Sequence, residues 1–441
     1  LKGFARYFRL LRESGFTGRY RNRMYGKFMV NYKKYENGLR LIVNSMDAMM
    51  SVSVGFLVGA GSCLEDANNN GISHFIEHTT FKGTDKMTSF QISSAFDDIG
   101  AQVNAFTSKE TTCYYVKSTT GELEKSFELL SDMFLNSTYK SDELDKEKGV
   151  VVEEINMCLD TPEELCLDAL SESYFGKQGL GQTILGSVKN VKGFKKDDID
   201  KYRKRFYNAD NIVVSFAGKI SFEAACGLVE KYFMPYVSAA KSDEFLCGET
   251  ENKYGRIKLE KDIEQVHLAL AFGGVEYDSP ETDAMSVINN VAGGGMSSRL
   301  FQKIREELGL CYTVYTYPSC YLKTGTFAVY AGINPKSAEK AYRAILDVLN
   351  ELKKNGVTED EFARGKAQMI SSFAFGQEST SSQMLLYGKY LLNTGKVFDI
   401  DAKLSAVNAL GIDEVNKLLS KLDFSLYSAA VVGKKADKIQ L

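Results

Sequence analysis

The chain has 441 residues, 44% of them hydrophobic and 25% charged, with only 5 Pro; that is room for two or three domains, each burying its own core. A formal net charge of −3 leaves no electrostatic footprint for nucleic acid, and no apolar run approaches the ~18–20 residues that cross a bilayer. The 8 Cys are scattered with no Cys-x-x-Cys pair, which points to a reducing compartment and argues against a disulfide framework or a thiolate metal site.

Residues 1–28 carry Lys2, Arg6, Arg9, Arg12, Arg19, Arg21, Arg23 and Lys27 against the single acid Glu13. No apolar core of a secretory signal follows. The segment reads as a basic extension, an arginine-rich organelle leader, or translation begun upstream of Met24 or Met29, and it stands outside the fold reading. Residues 39–58 read as two strands, β-branched and apolar between Gly and Asp. A helix follows Asn68–Gly71, with Ser73 as its N-cap, and a second covers 88–99, capped by Thr88 or Ser89. Residues 101–118 read as a hairpin, and helices are expected at 121–136, 141–158 and 162–175.

After a polar, acidic stretch near 241–254 the same order returns. Strands are expected over 256–273, helices over 280–292 and 297–308, strands over 311–332, and helices over 335–354 and 358–374. Three segment pairs match at offsets of 217, 214 and 215: Gly38-Leu-Arg-Leu-Ile-Val with Gly255-Arg-Ile-Lys-Leu, Val52-Ser-Val-Gly-Phe with Val266-His-Leu-Ala-Leu, and Asn211-Ile-Val-Val-Ser with Leu426-Tyr-Ser-Ala-Ala. Duplication accounts for three collinear matches better than coincidence among short apolar strands. The expectation is an α+β fold of two repeated sandwich halves, 29–240 and 255–441, each a mainly antiparallel sheet with helices on one face. A doubly wound parallel sheet would need stricter β-α-β alternation, and Gly-x-Gly-x-x-Gly follows no strand.

Residues 74–78, His-Phe-Ile-Glu-His, hold two of the three histidines. On a helix His74 and His78 lie one turn apart on one face, so both imidazoles can reach one metal. Glu77 stands beside them, where a carboxylate can act as general base on water. His-x-x-Glu-His is itself a zinc-peptidase pattern, although a bare five-residue match also arises by chance on an amphipathic helix. Catalytic zinc takes three protein ligands and keeps one open position. The third must come from elsewhere, and the acidic helix 142–155 offers Asp145, Glu147, Glu153 and Glu154. Glu147 and Glu154, seven residues apart, share a face, with Val150 and Val151 between them expected to face the core. His267, alone on a strand, reads as a structural histidine.

His74-Phe-Ile-Glu77-His78, Phe81-Lys-Gly-Thr84, Glu147 and Glu154 resemble the inverted-zincin metallopeptidases, the group of pitrilysin, insulin-degrading enzyme and the mitochondrial processing peptidase. Gly181-Gln-Thr-Ile-Leu-Gly186, Phe206-Tyr-Asn-Ala-Asp-Asn211 and Gly293-Gly-Gly-Met-Ser-Ser-Arg-Leu300 are similar to further landmarks of that family, so the likeness runs over about 35–435. It implies His74, His78 and Glu154 as ligands of one zinc per chain, Glu77 as general base and Glu147 in support. Thr79-Thr80 departs from the methionine common in relatives at that point, which touches packing and leaves the ligand set intact.

The resemblance also implies that Asn104 and Ala105 lie on an edge strand that pairs with the substrate backbone, and that Arg305 and Tyr312 contact substrate, Tyr312 at the developing oxyanion. Read without it, 104–105 is a hairpin segment, and Arg305 to Gly309 is a helix end. The implied activity is that of a zinc endopeptidase acting on peptides or unfolded segments in a chamber formed by two chains. Because one chain carries both the zinc motif and the Arg305/Tyr312 pair, a cytoplasmic, bacterial-type homodimer is expected. The alternatives are the catalytic subunit of an organellar presequence peptidase in the matrix, and a non-catalytic scaffold of the same fold.

Overall fold

A computed structural model describes residues 29–244, 247 and 251–441. The basic segment 1–28 and part of the 241–254 stretch therefore lie outside the described residues. Eleven strands form two sheets among them: β1 Met29–Lys34, β2 Arg40–Ser45, β3 Ser51–Val58, β4 Gln102–Thr107, β5 Thr112–Thr119 and β6 Ile212–Gly218 in the first, β7 Arg256–Glu260, β8 Val266–Gly273, β9 Cys311–Tyr321, β10 Thr324–Ile333 and β11 Ser428–Gly433 in the second. Their spatial orders are β1-β2-β6-β3-β5-β4 and β7-β11-β8-β10-β9.

With β1 set aside, the two orders are the same path. The parallel pair falls at the same place in each, β2 with β6 and β7 with β11, and the other neighbours run antiparallel. Even the left-handed glycine that ends the central strand recurs, Gly218 at φ +134° and Gly433 at φ +144°. A Cβ would stand 2.3 Å from the Ser51 carbonyl oxygen at the first and 2.7 Å from that of Gln265 at the second. The repeat read from three short matches is thus a repeat of topology.

The labelled helices are α1 Ile72–Thr80, α2 Ser89–Asp98, α3 Leu123–Asn136, α4 Ser141–Asp160, α5 Pro162–Phe175, α6 Lys196–Phe206, α7 Thr282–Ala292, α8 Ala338–Asn355, α9 Glu359–Gln377, α10 Thr380–Thr394 and α11 Ile412–Lys421. Each sheet lays one face on a large helical core, as alternation along its strands requires. The other face is covered as well, by a single helix from the opposite half. Helix α10 packs across β2, β3 and β6, and α5 packs across β7, β8 and β11. The two exchanged helices occupy equivalent positions in the repeat, so the halves interlock and the 240/255 partition of the chain is not a partition of the packing.

Side-chain size permits the exchange. On β8 and its neighbours the large residues Leu268, Leu270 and Phe272 enter the main core, while Ala269, Ala271, Ala328 and Ala430 form a flat floor under Cys166, Ala169, Leu170 and Tyr174 of α5. Ser215 and Ser428 on the two central strands each donate a hydroxyl to a main-chain carbonyl of the exchanged helix, Met384 at 2.7 Å and Ser173 at 3.0 Å. Gly388 stands inside α10 although an interior glycine costs about 1 kcal/mol against alanine. A Cβ there would meet a Leu57 methyl at 2.6 Å and Ser215 Cβ at 2.9 Å.

Three sequence expectations change. Helix α1 is not capped by Ser73: its N-cap is Gly71, at φ +99°. Val150 does not face the core and is 51% exposed, whereas Val151 is fully buried. The helix expected over 297–308 is wound as a π-helix across Phe301–Glu307. The hairpin 101–118 is as expected, and of the two cap candidates for the second helix Thr88 takes the role, with a Gln91 capping box besides.

Candidate metal centre

The centre is built from two helices and one edge strand. Helix α1 starts at Gly71 because nothing larger fits, a Cβ there falling 2.6 Å from the Leu185 carbonyl oxygen. With no capping side chain of its own, it borrows one. The buried Glu65 carboxylate accepts from the N–H groups of Gly71 at 2.7 Å and Ser73 at 2.8 Å, occupying the orphan donors and the positive end of the helix dipole. Helix α4 lays Leu144, Glu147, Val151 and Ile155 inward, and this stripe packs it against α1.

The imidazoles of His74 and His78 lie with ring centroids 4.5 Å apart and planes at 59°. Glu154 reaches them from α4, its Oε2 3.6 Å from His74 Nε2 and 3.3 Å from His78 Nε2. One ligand atom from each of the three residues lies within 4.8 Å of the other two. Asp145 and Glu153, the other candidates on α4, are exposed, and Asp145 is engaged with Lys148. Two imidazole nitrogens and one carboxylate oxygen are a donor set zinc takes in catalytic sites. Glu154 Oε2 is enclosed without a well-directed hydrogen bond, a cost in a buried site that a cation removes. The residues therefore fit the metal.

Glu147 stands behind His78. Its Oε1 meets His78 Nδ1 at 2.9 Å and its Oε2 meets Lys82 Nζ at 2.7 Å. This carboxylate–imidazole pair fixes the ring and leaves Nε2 as the free ligand atom. Glu147 thus engages the ring nitrogen of His78 opposite the one that faces Glu154. Glu77, on the adjacent face of α1, accepts from Thr107 Oγ1 at 2.6 Å. Burial pushes the Glu77 carboxyl above the usual carboxylate range, while Thr107 and His78 oppose the rise, which brings it toward the basicity a general base needs.

Without metal the two imidazoles differ. Burial, with the nearby charge of His78, pulls His74 down to about 4. Burial also opposes the charge on His78, but the Glu147 bond and the proximity of Glu154 outweigh it and raise His78 to about 9. The metal-free centre therefore holds a proton on His78 at neutral pH, and a cation must displace it. Zinc affinity is expected to rise about tenfold per pH unit up to about 9 and then level off. Calorimetric zinc titrations in buffers of different ionisation heat check this: release of one proton is expected, and a buffer-independent heat at pH 7 would contradict it.

The remaining predicted residues divide. Asn104 and Ala105 lie on β4, which among the described residues pairs with β5 alone and leaves its other edge free; β4 also packs against α1. Asn104 Oδ1 accepts from the Ala105 N–H at 2.8 Å. Arg305 and Tyr312 form their own pair in the second half, the guanidinium 4.9 Å from the Tyr312 ring centroid and 4.6 Å from that of Phe301. Tyr312 is the extra residue of a β9 bulge, between Cys311 and Thr313 which pair with Ile333 and Gly332, and it is 74% exposed. A bulge at a sheet edge re-aims a side chain. Among the described residues no hydrogen bond or ion pair joins Arg305 or Tyr312 to the metal centre. His267 Nδ1 bonds Tyr330 Oη at 2.6 Å, a satisfied structural histidine. Sequence reading missed Glu65, Thr107 and Lys82; a Gly at the N-cap of α1 was the available signal for Glu65.

Two family models match the chain: Insulinase (Peptidase family M16) over residues 41–188 and the Peptidase M16 inactive domain over 193–369. A protein of Bacillus subtilis named as the uncharacterized zinc protease YmxG is 38% identical over 402 residues, covering 91% of this chain and 98% of the relative. A Streptomyces coelicolor protein, also named as an uncharacterized zinc protease, is 32% identical over 413 residues, 91% of this chain and 89% of the relative. Two solved structures share the fold: a protease from Helicobacter pylori, with TM-score 0.85 and 21% identity over 92% of this chain and 99% of that one, and a peptidase M16 inactive domain from Pseudomonas fluorescens, with TM-score 0.86 and 19% identity over 92% and 98%. Among the described residues no helix is long and apolar enough to cross a membrane.

Proposed function

The chain belongs to peptidase family M16, and from that premise we propose that it is a zinc-dependent endopeptidase that cleaves peptides or unfolded segments in a chamber closed by a second copy of itself. The observation that carries the reading is the convergence of His74, His78 and Glu154 on one point, with the protonatable Glu77 beside it. Zinc held by those residues supplies a Lewis acid that acidifies water and polarises a carbonyl.

The chain's own groups do the rest. Glu77 takes the proton of the attacking water and returns it to the leaving amine, and Thr107 keeps the carboxylate oriented between those two tasks. Glu147 and Lys82 hold the His78 ring. The free edge of β4 binds the extended substrate by main-chain hydrogen bonds, which tolerate many sequences. Asn104 and Ala105 lie at that edge. Arg305 and Tyr312 are detached from their own chain's centre, and this favours their serving the centre of a partner copy, where the phenol donates to the tetrahedral oxyanion and the guanidinium holds a carbonyl or carboxylate.

A peptide-library digest by the purified chain, with and without chelator, tests the proposal alongside native mass measurement. Chelator-sensitive cleavage by a species of two identical chains is expected. Zinc-loaded protein that cleaves nothing would favour the scaffold reading, and activity only with a different second polypeptide would favour the heterodimeric one.

A further inference from the structure

A group of enclosed charged side chains lies outside the metal centre, at the N-terminus of α1. Besides its two backbone bonds, Glu65, 5% exposed, accepts from Asn70 Nδ2 at 2.9 Å. The ammonium of Lys109 is enclosed near it and donates to the Gln182 carbonyl. Burial pulls that ammonium below the ordinary lysine range, and the charges of Asp168 and Glu65 oppose the fall. Asp168 belongs to α5, the helix exchanged onto the second sheet.

Lys109 sits at the tip of the β4–β5 hairpin. Ser108 closes the tip with its N–H and its hydroxyl on the Thr111 carbonyl, both at 2.8 Å. The Cys63 N–H reaches the Lys109 carbonyl at 2.8 Å. From the second half, the Leu322 N–H donates to Glu110 Oε1 at 2.9 Å. Two residues before Lys109, Thr107 holds Glu77. The tip is therefore the mechanical link between the free edge of β4, the general base and the N-terminus of the metal helix.

We propose that Lys109 is a positioning residue that holds the substrate-pairing edge β4 in register with the metal helix, through its bond to Gln182 and its charge near Asp168. This rests on the peptidase reading above. Without the ammonium, the Gln182 carbonyl loses its donor and Asp168 loses a nearby opposite charge, and such a site relaxes by moving. The tip takes up part of that movement, because it is Lys109, at the tip, that loses its side-chain bond, while Glu65 stays bound to the helix start. A shift at the tip is passed two residues on to Thr107 and along the β4 edge, whose main-chain groups bind substrate.

The test uses the full chain, zinc-loaded, with Glu77→Gln so that peptide binds without being cut. A fluorescent, unstructured peptide is titrated and followed by anisotropy, with zinc content measured alongside. Lys109→Met is expected to weaken peptide binding about tenfold, a small displacement at a binding edge being enough for that, while zinc stays at one per chain. Lys109→Arg is expected to recover most of the affinity. Should Lys109→Met fail to fold, the double variant Lys109→Met/Asp168→Asn removes charge in balance, still lacks the Gln182 bond, and is expected to show a smaller loss. Unchanged peptide affinity in either folded, zinc-loaded variant overturns the proposal. A Glu77→Gln protein that holds zinc and binds no peptide overturns the peptidase reading, and this proposal with it.

Discussion

Glu77→Gln protein is expected to hold its zinc and to lose turnover by about 10²–10⁴-fold, the range general-base catalysis contributes. The substitution is nearly isosteric, and the amide oxygen can still accept from Thr107, now 2.6 Å from Glu77 Oε2. What disappears is a group able to take a proton. None of the three converging ligand atoms belongs to Glu77, so metal content should be unchanged. Steady-state cleavage of a quenched-fluorescence peptide, with metal analysis of the same preparation, checks both halves. Wild-type turnover in the variant would remove Glu77 from the mechanism.

Glu154→Gln should do the reverse and lose the metal first. Its carboxylate is the single anionic member of the donor set, and a neutral amide leaves two imidazoles to hold a dication. The expected weakening exceeds the roughly 10–100-fold typical of removing an outer partner, which is the loss expected for Glu147→Gln behind His78. Competition for zinc against a chromophoric chelator ranks the two variants. Equal affinities for Glu154→Gln and wild type would place the third ligand elsewhere.

Much of the centre was legible in one dimension because helices convert spacing into direction. His74 and His78 are one turn apart, and Glu147 and Glu154 two, so each pair had to share a face whatever the fold. Their separate roles were not legible that way. Glu147 and Glu154 have the same chemistry, and α4 presents them at different depths against α1: Glu147 is 3% exposed and locked to Lys82, while Glu154 reaches past it to both imidazoles. Val150 failed for the related reason that a seven-residue face is narrower than a helix: of the two valines between the acids, Val151 shares that face and is buried, while Val150 turns outward.

The covering of the second face of each sheet was also out of reach. Alternation on β8 announced a core face of Leu and Phe and a face of Ala, but small residues are equally consistent with solvent, a ligand or a close-packed helix. That α5 and α10 trade places depends on contacts between segments at least eighty residues apart, and no local pattern encodes them. Gly388 was the nearest local sign, an interior glycine that costs helix stability unless something must come close.

The sequence by itself determined the chemistry and the duplication, because ligand type, helical spacing and strand patterning are local properties that survive in a string of letters. Tertiary structure alone decided how that chemistry is mounted. It brought Glu154, which the family resemblance had already singled out, to both imidazoles and Glu147 to the other nitrogen of His78, set Glu65 as the cap of the metal helix, tied Lys109 to Gln182, and left Arg305 and Tyr312 with no hydrogen bond or ion pair to their own chain's centre among the described residues. Each of those outcomes rests on distance and burial between residues far apart in the chain, which only packing settles.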